Sequence, residues 1–191
     1  MRNAPSLALN DIDSDAVYLK RPHLNFYSDY RKQGIVELLP QMLLDEVQPL
    51  EVVSQNPHPN IIKYHGCRVR RGRIKGLVLD KHPHDLKVYL RDAIGTNDKE
   101  PFMDALESAV RHLHSLGLAH NDINPGNILV NKARLPVLVD FGSCREVGRT
   151  LGASRGTTGW IQGESSDYNT SETQHDWFAV EKIRAWLDGP H

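Results

Sequence analysis

The chain has 191 residues, of which 39% are hydrophobic and 25% charged, so it can form the core of one domain or of two small lobes. Its formal net charge of −1 argues against nucleic acid or an anionic membrane surface as a partner. Cys67 and Cys144 are too few for a disulfide framework, and no apolar run approaches the length of a membrane span. These features predict an intracellular protein, cytoplasmic or nuclear, with neither nucleic acid nor a membrane as a partner.

The first eighty residues alternate between strand and helix signals. In chain order the predicted elements are a strand at 16–20, a helix at 35–56, and strands at 61–70 and 73–79 joined by a hairpin turn at 71–72. Within the helix, Pro40 suits the first turn, whereas Pro49 is expected to kink or end the helix unless it is tolerated there. The pattern indicates a small unit of strands that carries one helix.

Helical signals dominate after residue 80. The predicted elements are a short helix at 85–94, a long helix at 101–116, strands at 128–130 and 136–139, and a last helix at 174–187. In the long helix, His112 and His114 are two positions apart and lie on different faces, so they are not expected to share a metal ion. His82 and His84 could form a metal pair, but no third ligand is obvious.

Three oxygen-bearing side chains lie next to the two short strands that follow residue 127. Asp122 and Asn127 flank a Pro-Gly turn before the first strand, and Asp140 follows the second strand. Adjacent strands would bring the three side chains to a common edge, where their oxygens suit a hard cation such as Mg²⁺. The pattern outlines a phosphoryl-transfer site; the alternative is a turn that caps itself through side-chain hydrogen bonds.

These residues resemble two motifs of the eukaryotic protein kinases. The segment HNDINPGNILV at 120–130 is similar to the catalytic loop that begins H-R-D, and VDFG at 139–142 is similar to the metal-binding DFG motif. The resemblance implies that Asp122 orients the substrate hydroxyl and accepts its proton. It also implies that Asn127 and Asp140 bind the Mg²⁺ that bridges the phosphates of ATP.

Other residues take their expected roles from the same resemblance. Lys20 ends a stretch similar to the kinase V-A-I-K strand and is expected to contact the nucleotide phosphates, as a catalytic and a nucleotide-binding residue. Glu46 is expected to pair with Lys20, since the helix that carries it leads into HPNIIKY at 58–64, which resembles the stretch after the kinase αC helix. The remaining residues implied in nucleotide binding are Leu79, Asp80, Lys81 and Leu129.

Several positions depart from the kinase pattern. No glycine lies among the first nineteen residues, so no Gly-rich loop over the phosphates is recognisable, and Tyr18 replaces a small alanine near the base. Asn124 replaces the catalytic-loop lysine, and Asn121 replaces the arginine that usually pairs with a phosphorylated activation loop. Switching by phosphorylation of Thr150 or Ser154 therefore has no obvious cation to act through.

Two later segments also resemble parts of a kinase. Residues 143–154 are similar to an activation segment, and residues 156–164 match G-T-x-x-[WY]-x-A-P-E with Gln-Gly in place of Ala-Pro. In the last helix, Asp176 is expected to be a buried structural carboxylate that accepts hydrogen bonds from the catalytic-loop backbone. The sequence ends soon after this helix, which predicts a truncated C-lobe.

The resemblance implies an α+β, two-lobed protein-kinase-like fold. A reduced N-lobe is expected at 1–80, with the strands and the αC-like helix, and a truncated helical C-lobe at 81–191, with the catalytic loop. The implied function is ATP- and Mg²⁺-dependent phosphoryl transfer to a protein Ser/Thr hydroxyl. One alternative is a pseudokinase-like binding module, favoured by the departures above. A less favoured one is a small-molecule kinase, which fits Asn124 but not residues 156–164.

Overall fold

A computed structural model describes residues 16–21, 39–71, 73–91, 98–152, 155–164 and 166–189. The expectations for residues 35–38, 72, 92–94 and 154 lie outside these ranges. The strands are β1 (Val17–Lys20), β2 (Tyr64–Arg70), β3 (Arg73–Asp80), β4 (His84–Asp85), β5 (Leu118–Ala119), β6 (Ile128–Val130), β7 (Pro136–Leu138) and β8 (Arg145–Glu146). The helices are α1 (Leu39–Gln55), α2 (Leu86–Arg91), α3 (Lys99–Ser115) and α4 (Thr173–Trp186). The chain therefore combines strands and helices, as the α+β prediction requires.

A three-stranded antiparallel sheet, in the order β1-β3-β2, is built from the first three strands that the structure describes. Leu77 and Leu79 of the central strand are buried. Across β1 and β3, Lys20 pairs with Leu77 and Tyr18 pairs with Leu79. Because side chains alternate between the two faces of a strand, Lys20 and Tyr18 lie on the same face of the sheet.

Strand β2 begins three residues later than predicted. Ile61 and Ile62 are buried, but Ile62 N donates to Leu138 O at 3.0 Å and Leu138 N donates to Asn60 O at 2.9 Å. These residues therefore join the chain to β7 instead of extending β2.

Helix α1 buries one apolar face. Its buried hydrophobic residues recur at helical spacing and are Leu43, Val47, Leu50 and Val53. Pro49 lies inside the helix and does not end it, so the proline is tolerated at this position. A proline removes the N–H that would donate to the carbonyl four residues earlier, which here belongs to Asp45. Arg145 Nη1 lies 3.5 Å from that carbonyl and takes part of the place of the missing donor.

Helix α3 forms the centre of the helical part of the core. Its fully buried side chains include Phe102, Met103, Leu106, Val110 and Leu113. The helix ends beside Gly117, which has a φ of 75°, a backbone conformation that favours glycine and confirms the predicted helix end. His112 and His114 contact different groups, Asn56 O and Asp176, in agreement with their predicted faces.

The hairpin of β6 and β7 carries the two turns of the candidate site. Ile128 pairs with Leu138, and Val139 N donates to Asn127 O at 3.0 Å. The residue before β6 therefore lies beside the residue after β7, as the sequence predicted. Strand β4 adds to the other edge of β6, and β5 pairs with β8; neither pairing was predicted.

One cluster of buried hydrophobic residues runs through most of the described chain and includes Leu50, Leu77 and Phe102. Because this cluster crosses residue 80, the division of the chain at that residue stays a prediction. In the ranges that the structure describes, no helix has the length and apolar character needed to cross a membrane.

Candidate active site

The backbone of residues 120–130, the segment that resembles a kinase catalytic loop, is held by a carboxylate of helix α4. Asp176 is fully buried, and its oxygens accept hydrogen bonds from His120 N and Asn121 N, each at 2.8 Å. His114 Nε2 lies 2.9 Å from the same carboxylate. The expectation that Asp176 is a buried structural carboxylate is confirmed.

His120 links the catalytic loop to the turn that contains Asp140. Its Nε2 lies 2.9 Å from Val139 O, and its ring meets the ring of Phe141 edge-on, with centroids 5.2 Å apart. His120 and Phe141 are both fully buried. Since Val139 and Phe141 flank Asp140, these contacts fix Asp140 relative to the catalytic loop.

Asp122 is the centre of a small polar cluster. Its Oδ2 accepts a hydrogen bond from Asn127 Nδ2 at 3.0 Å. Its Oδ1 accepts from Thr157 Oγ1 at 2.7 Å and from Asn124 Nδ2 at 3.2 Å. Burial raises the pKa of Asp122, an effect that the Thr157 hydrogen bond and the charge of His120 offset only in part. A carboxylate with a raised pKa is a better proton acceptor than an ordinary aspartate.

Two asparagines hold the Pro-Gly turn. Asn124 Oδ1 accepts from Gly126 N at 2.9 Å and caps the short 3₁₀ turn at Pro125–Asn127. Asn127 Nδ2 donates to both Oδ2 and the backbone oxygen of Asp122. The self-capping turn considered from the sequence is therefore present, and it holds Asp122 and Asn127 side by side.

Lys20 bridges two carboxylates. Its Nζ lies 2.6 Å from Glu46 Oε1 and 3.0 Å from Asp140 Oδ1. Burial acts to lower the pKa of Lys20, but the two carboxylates outweigh burial and raise it. Burial acts to raise the pKa of Asp140, but Lys20 outweighs burial and the pKa is lowered. Lys20 and Asp140 are therefore both charged at neutral pH.

Asp140 is held in an uncommon backbone conformation. Its φ of 63° and ψ of 78° are left-handed, and its Oδ1 accepts from Gly142 N at 3.3 Å. Such a conformation costs a non-glycine residue on the order of 1–3 kcal/mol and is frequent at functional sites. The Asp140 side chain is 44% exposed, so solvent or a ligand can reach it.

Thr157 is a residue of this cluster to which the sequence pattern assigned no role. Its hydroxyl donates to Asp122 Oδ1 at 2.7 Å and lies 3.2 Å from Asn124 Nδ2. The preceding Gly156 has a φ of 82°, and a β carbon there would lie 2.6 Å from Ile161 Cγ2. In the sequence, the Gly-Thr pair that begins the match at residues 156–164 was the signal from which a role of Thr157 could have been predicted.

Asn121 ties the catalytic loop to the segments on both sides of it. It is buried and has a φ of 62°. Its amide lies between 2.8 and 3.3 Å from Ala119 O, Ser143 O, Ser171 Oγ, Glu172 N and His175 Nδ1. An uncharged network therefore occupies the position where the kinase pattern has an arginine.

The four residues expected to bind the nucleotide base lie on β3, β6 and the segment after β3. Leu79 is buried, and Leu129 is half-buried. Asp80 N and Lys81 N each donate to a backbone carbonyl at 3.0 Å, so a bound base would use other backbone groups here. Asp80 Oδ1 lies 2.6 Å from His65 Nε2. These contacts do not test the base-binding role, which stays a prediction.

Known proteins share this sequence pattern. A family model described as protein kinase domain matches residues 28–185. The serine/threonine-protein kinase/endoribonuclease IRE1 of Hypocrea jecorina (strain QM6a) is 34% identical over 126 residues, which cover 56% of this chain and 10% of that protein. The MAPK/MAK/MRK overlapping kinase of Mus musculus is 33% identical over 129 residues, which cover 64% of this chain and 30% of that protein. The chain thus spans less than a third of these relatives.

A solved structure shares the fold. The Cydia pomonella granulovirus kinase PK-1 aligns with a TM-score of 0.59 at 22% identity, over 74% of this chain and 53% of that chain. At this identity the likeness concerns the fold alone. The family match, by contrast, extends over most of the sequence and contains the catalytic loop, the DFG turn and Asp176. The chain is a member of the protein kinase domain family.

Proposed function

We propose that the chain transfers the γ-phosphoryl group of ATP, in the presence of Mg²⁺, to a serine or threonine hydroxyl of a protein. The observation that carries the proposal is the contact of Lys20 Nζ with both Glu46 and Asp140, at 2.6 and 3.0 Å. Removing charged groups from water costs free energy, and a protein with apolar residues of similar size in place of a buried ion pair is often equally stable. An ammonium held between two carboxylates at the predicted position is therefore better explained by a site for Mg²⁺ and phosphates than by stability alone.

In this proposal Lys20 contacts the phosphates of the nucleotide, and Glu46 holds Lys20 in place. The base would lie between the part of the chain before residue 80 and the part after it, so the two-lobe division belongs to the proposal. The residues proposed to contact the base are Leu79, Asp80, Lys81 and Leu129.

Asn127 and Asp140 are the proposed ligands of Mg²⁺. Their donor chemistry fits a hard cation, since one is a carboxylate and the other an amide. Asn127 uses its Nδ2 to bond Asp122, so its Oδ1 is the atom offered to a cation. Asp140 contacts Lys20 through Oδ1 and is partly exposed, so Oδ2 is available. When bound, Mg²⁺ supplies positive charge that neutralises the phosphates.

Asp122 is the proposed acceptor of the substrate proton. Asn127 and Thr157 each bond one of its two oxygens, which fixes the plane of the carboxylate. Most of the rate would come from this positioning, because phosphoryl transfer requires little covalent chemistry of the protein. Asn124 offers Asp122 a neutral donor where the kinase pattern has a lysine. Loss of such a charged contact with the transition state typically costs on the order of a hundredfold in rate.

The test is incubation of the purified chain with Mg²⁺ and γ-labelled ATP, together with panels of protein and small-metabolite acceptors. Labelled phosphoserine or phosphothreonine is the expected product. Asp122→Asn should reduce its formation about a hundredfold or more, since a positioned general base contributes that much. Asp104→Asn is the matched control, because Asp104 is an exposed aspartate of helix α3.

The same experiment decides between the proposal and its alternatives. Transfer to a metabolite instead of a protein would identify a small-molecule kinase. Nucleotide binding without transfer to any acceptor would leave a binding module. Turnover by Asp122→Asn within a few-fold of the parent would exclude Asp122 as the base.

A further inference from the structure

The side chain of Arg145 joins the activation segment, residues 143–164, to helix α1. Its Nη2 donates to Asp45 Oδ2 at 2.7 Å, and its Nη1 donates to Cys144 O at 2.7 Å and to Gly142 O at 3.3 Å. The side chains of the ion pair are only 19% and 26% exposed. A guanidinium that donates to several acceptors fixes the positions of those acceptors and also balances the charge of the carboxylate.

This contact is made next to the residue that holds Lys20. Asp45 directly precedes Glu46, so the position of one residue constrains the other. Pro49 leaves the Asp45 carbonyl without its helical donor, and Arg145 Nη1 lies 3.5 Å from that carbonyl. Arg145 therefore contacts both the side chain and the backbone of the turn of α1 that presents Glu46 to Lys20.

The later part of the activation segment covers the ion pair. A β carbon at Gly152 would lie 3.4 Å from Arg145 Nη2 and 3.9 Å from Asp45 Oδ2, so the backbone passes close to both groups. A second anchor of the segment is uncharged, because Asn121 Nδ2 lies 3.2 Å from Ser143 O. Neither anchor requires a phosphate.

We propose that Asp45 and Arg145 are positioning residues, and that Asp45 is the anion that fixes Arg145 in place of a phosphate on the activation segment. The ion pair keeps Glu46 at Lys20 in the unmodified chain, so the site is assembled before any phosphorylation. The consequence for turnover rests on the function proposed above, whereas the effect on Lys20 does not.

The effect on Lys20 is tested by labelling the folded chain with an acetylating reagent in the absence of nucleotide. Acetylation of Lys20 is followed by peptide mass spectrometry and divided by that of the exposed Lys87. Asp45→Asn and Arg145→Gln should each raise this ratio at least threefold, because the helix turn that carries Glu46 is released. The double variant should label no faster than the faster single variant, since either change already breaks the pair.

Matched controls separate positioning from a general loss of structure. Arg149→Gln breaks the exposed ion pair with Glu146 in the same segment and should leave the labelling ratio of Lys20 unchanged. If Arg145→Gln does not fold, it is replaced in the experiment by Arg145→Lys. That variant keeps the positive charge but loses the planar guanidinium group. Unchanged labelling in both single variants, or effects that multiply in the double variant, would overturn the proposal.

Turnover provides the second measurement. Phosphatase-treated protein and Thr150→Ala should both keep activity within twofold of the untreated parent, and Asp45→Asn should lose at least tenfold. A tenfold loss on phosphatase treatment would overturn the proposal. Absence of turnover in every form, together with the predicted labelling pattern, would contradict phosphoryl transfer and leave the role of the ion pair intact.

Discussion

At the scale of single residues, two asparagines stand where the kinase pattern has cations. Asn121 satisfies its amide with backbone and side-chain groups of neighbouring segments. Asn124 caps its own turn and donates to Asp122. The geometry of the catalytic loop is therefore kept by neutral hydrogen bonds while its positive charge is reduced. Weaker stabilisation of the transferring phosphoryl group is the expected consequence.

Thr157→Val is expected to lower turnover about tenfold with little change in stability. Valine keeps the shape of threonine but removes the hydroxyl that donates a hydrogen bond to Asp122 Oδ1 at 2.7 Å. Because Thr157 is exposed, the loss affects the orientation of the Asp122 carboxylate more than the stability of the fold. That bond lowers the pKa of Asp122, so its loss raises this pKa and moves the acidic limb of the rate profile to higher pH. A profile of kcat/KM between pH 5 and 9 measures the shift.

Two neighbouring changes serve as controls for this prediction. Thr157→Ser keeps the donor and should retain most of the activity. Thr158→Val alters an exposed residue and should leave both rate and profile unchanged. An acidic limb that does not move in Thr157→Val would show that the hydroxyl does not influence Asp122.

Some site residues were predictable from the sequence, and others were not. Asp122 and Asp176 belong to short motifs whose spacing sets their position, and the contacts expected of Asp176 are confirmed. Thr157 lies 35 residues after Asp122, and the Asp45–Arg145 pair spans 100 residues. Neither contact can be predicted from a local sequence pattern, because each depends on the path that the activation segment follows in the folded protein.

At the scale of elements, Asp176→Ala should destabilise the protein by about 2–6 kcal/mol. The change leaves the buried N–H groups of His120 and Asn121 without an acceptor, and each unpaired buried group costs about 1–3 kcal/mol. Urea unfolding measures the change. Asp188→Ala, just after the same helix, removes only an exposed ion pair with Lys99 and should cost less than about 1 kcal/mol. Lower activity with unchanged stability in Asp176→Ala would instead indicate a catalytic role.

The contact between the loop before β2 and helix α3 should weaken on acidification. His58 stacks on His112 with ring centroids 5.1 Å apart, and its Nδ1 accepts from Asn60 N. Burial lowers the pKa of His58 below its ordinary value of 6.5, and the charge of His112 lowers it further. The unfolded chain therefore binds this proton at a higher pH than the folded chain. The resulting stability is complete above pH 6.5 and is lost as the pH falls below that value.

Unfolding free energies measured from pH 8 to pH 5 test this dependence. His58→Gln should reduce the slope below pH 6.5 without abolishing it, because burial also lowers the pKa values of His82 and His175. A slope that is the same in His58→Gln and the parent would contradict the assignment.

The larger elements were predictable because each buries a continuous apolar stripe. The boundaries of α1 and α3 follow their stripes, and α1 continues through Pro49, where Arg145 supplies a donor from far along the chain. The two-residue strands β4, β5 and β8 are too short to show an alternating pattern. They form because distant segments are brought together by the core.

At the scale of the whole molecule, the candidate site is assembled from separate parts of the chain. Lys20 comes from the sheet, Glu46 from helix α1, and Asp140 from the turn after β7. No single element contains the site, so an anion that binds there requires the folded chain. A ligand of this site should therefore stabilise the whole protein against unfolding.

Mg-ATP is accordingly expected to raise the melting temperature, and the metal should account for much of the rise. At a hundred times its dissociation constant, a ligand that binds only the folded chain adds about 2.7 kcal/mol, which corresponds to roughly 5–10 °C for a chain of this size. Asp140→Asn should remove the part that depends on Mg²⁺, because the carboxylate proposed to bridge metal and phosphates loses its charge.

Lys20→Met should weaken binding with and without metal, because the proposed contact of its ammonium with the phosphates does not involve Mg²⁺. Asp104→Asn should behave as the parent does. Residues 1–19 contain no glycine, so the sequence predicts weak cover of the phosphates, and millimolar nucleotide concentrations are appropriate for the titration. A melting temperature that does not respond to saturating Mg-ATP would contradict the proposed function. A rise that is the same with chelator and in Asp140→Asn would place the nucleotide away from Asn127 and Asp140.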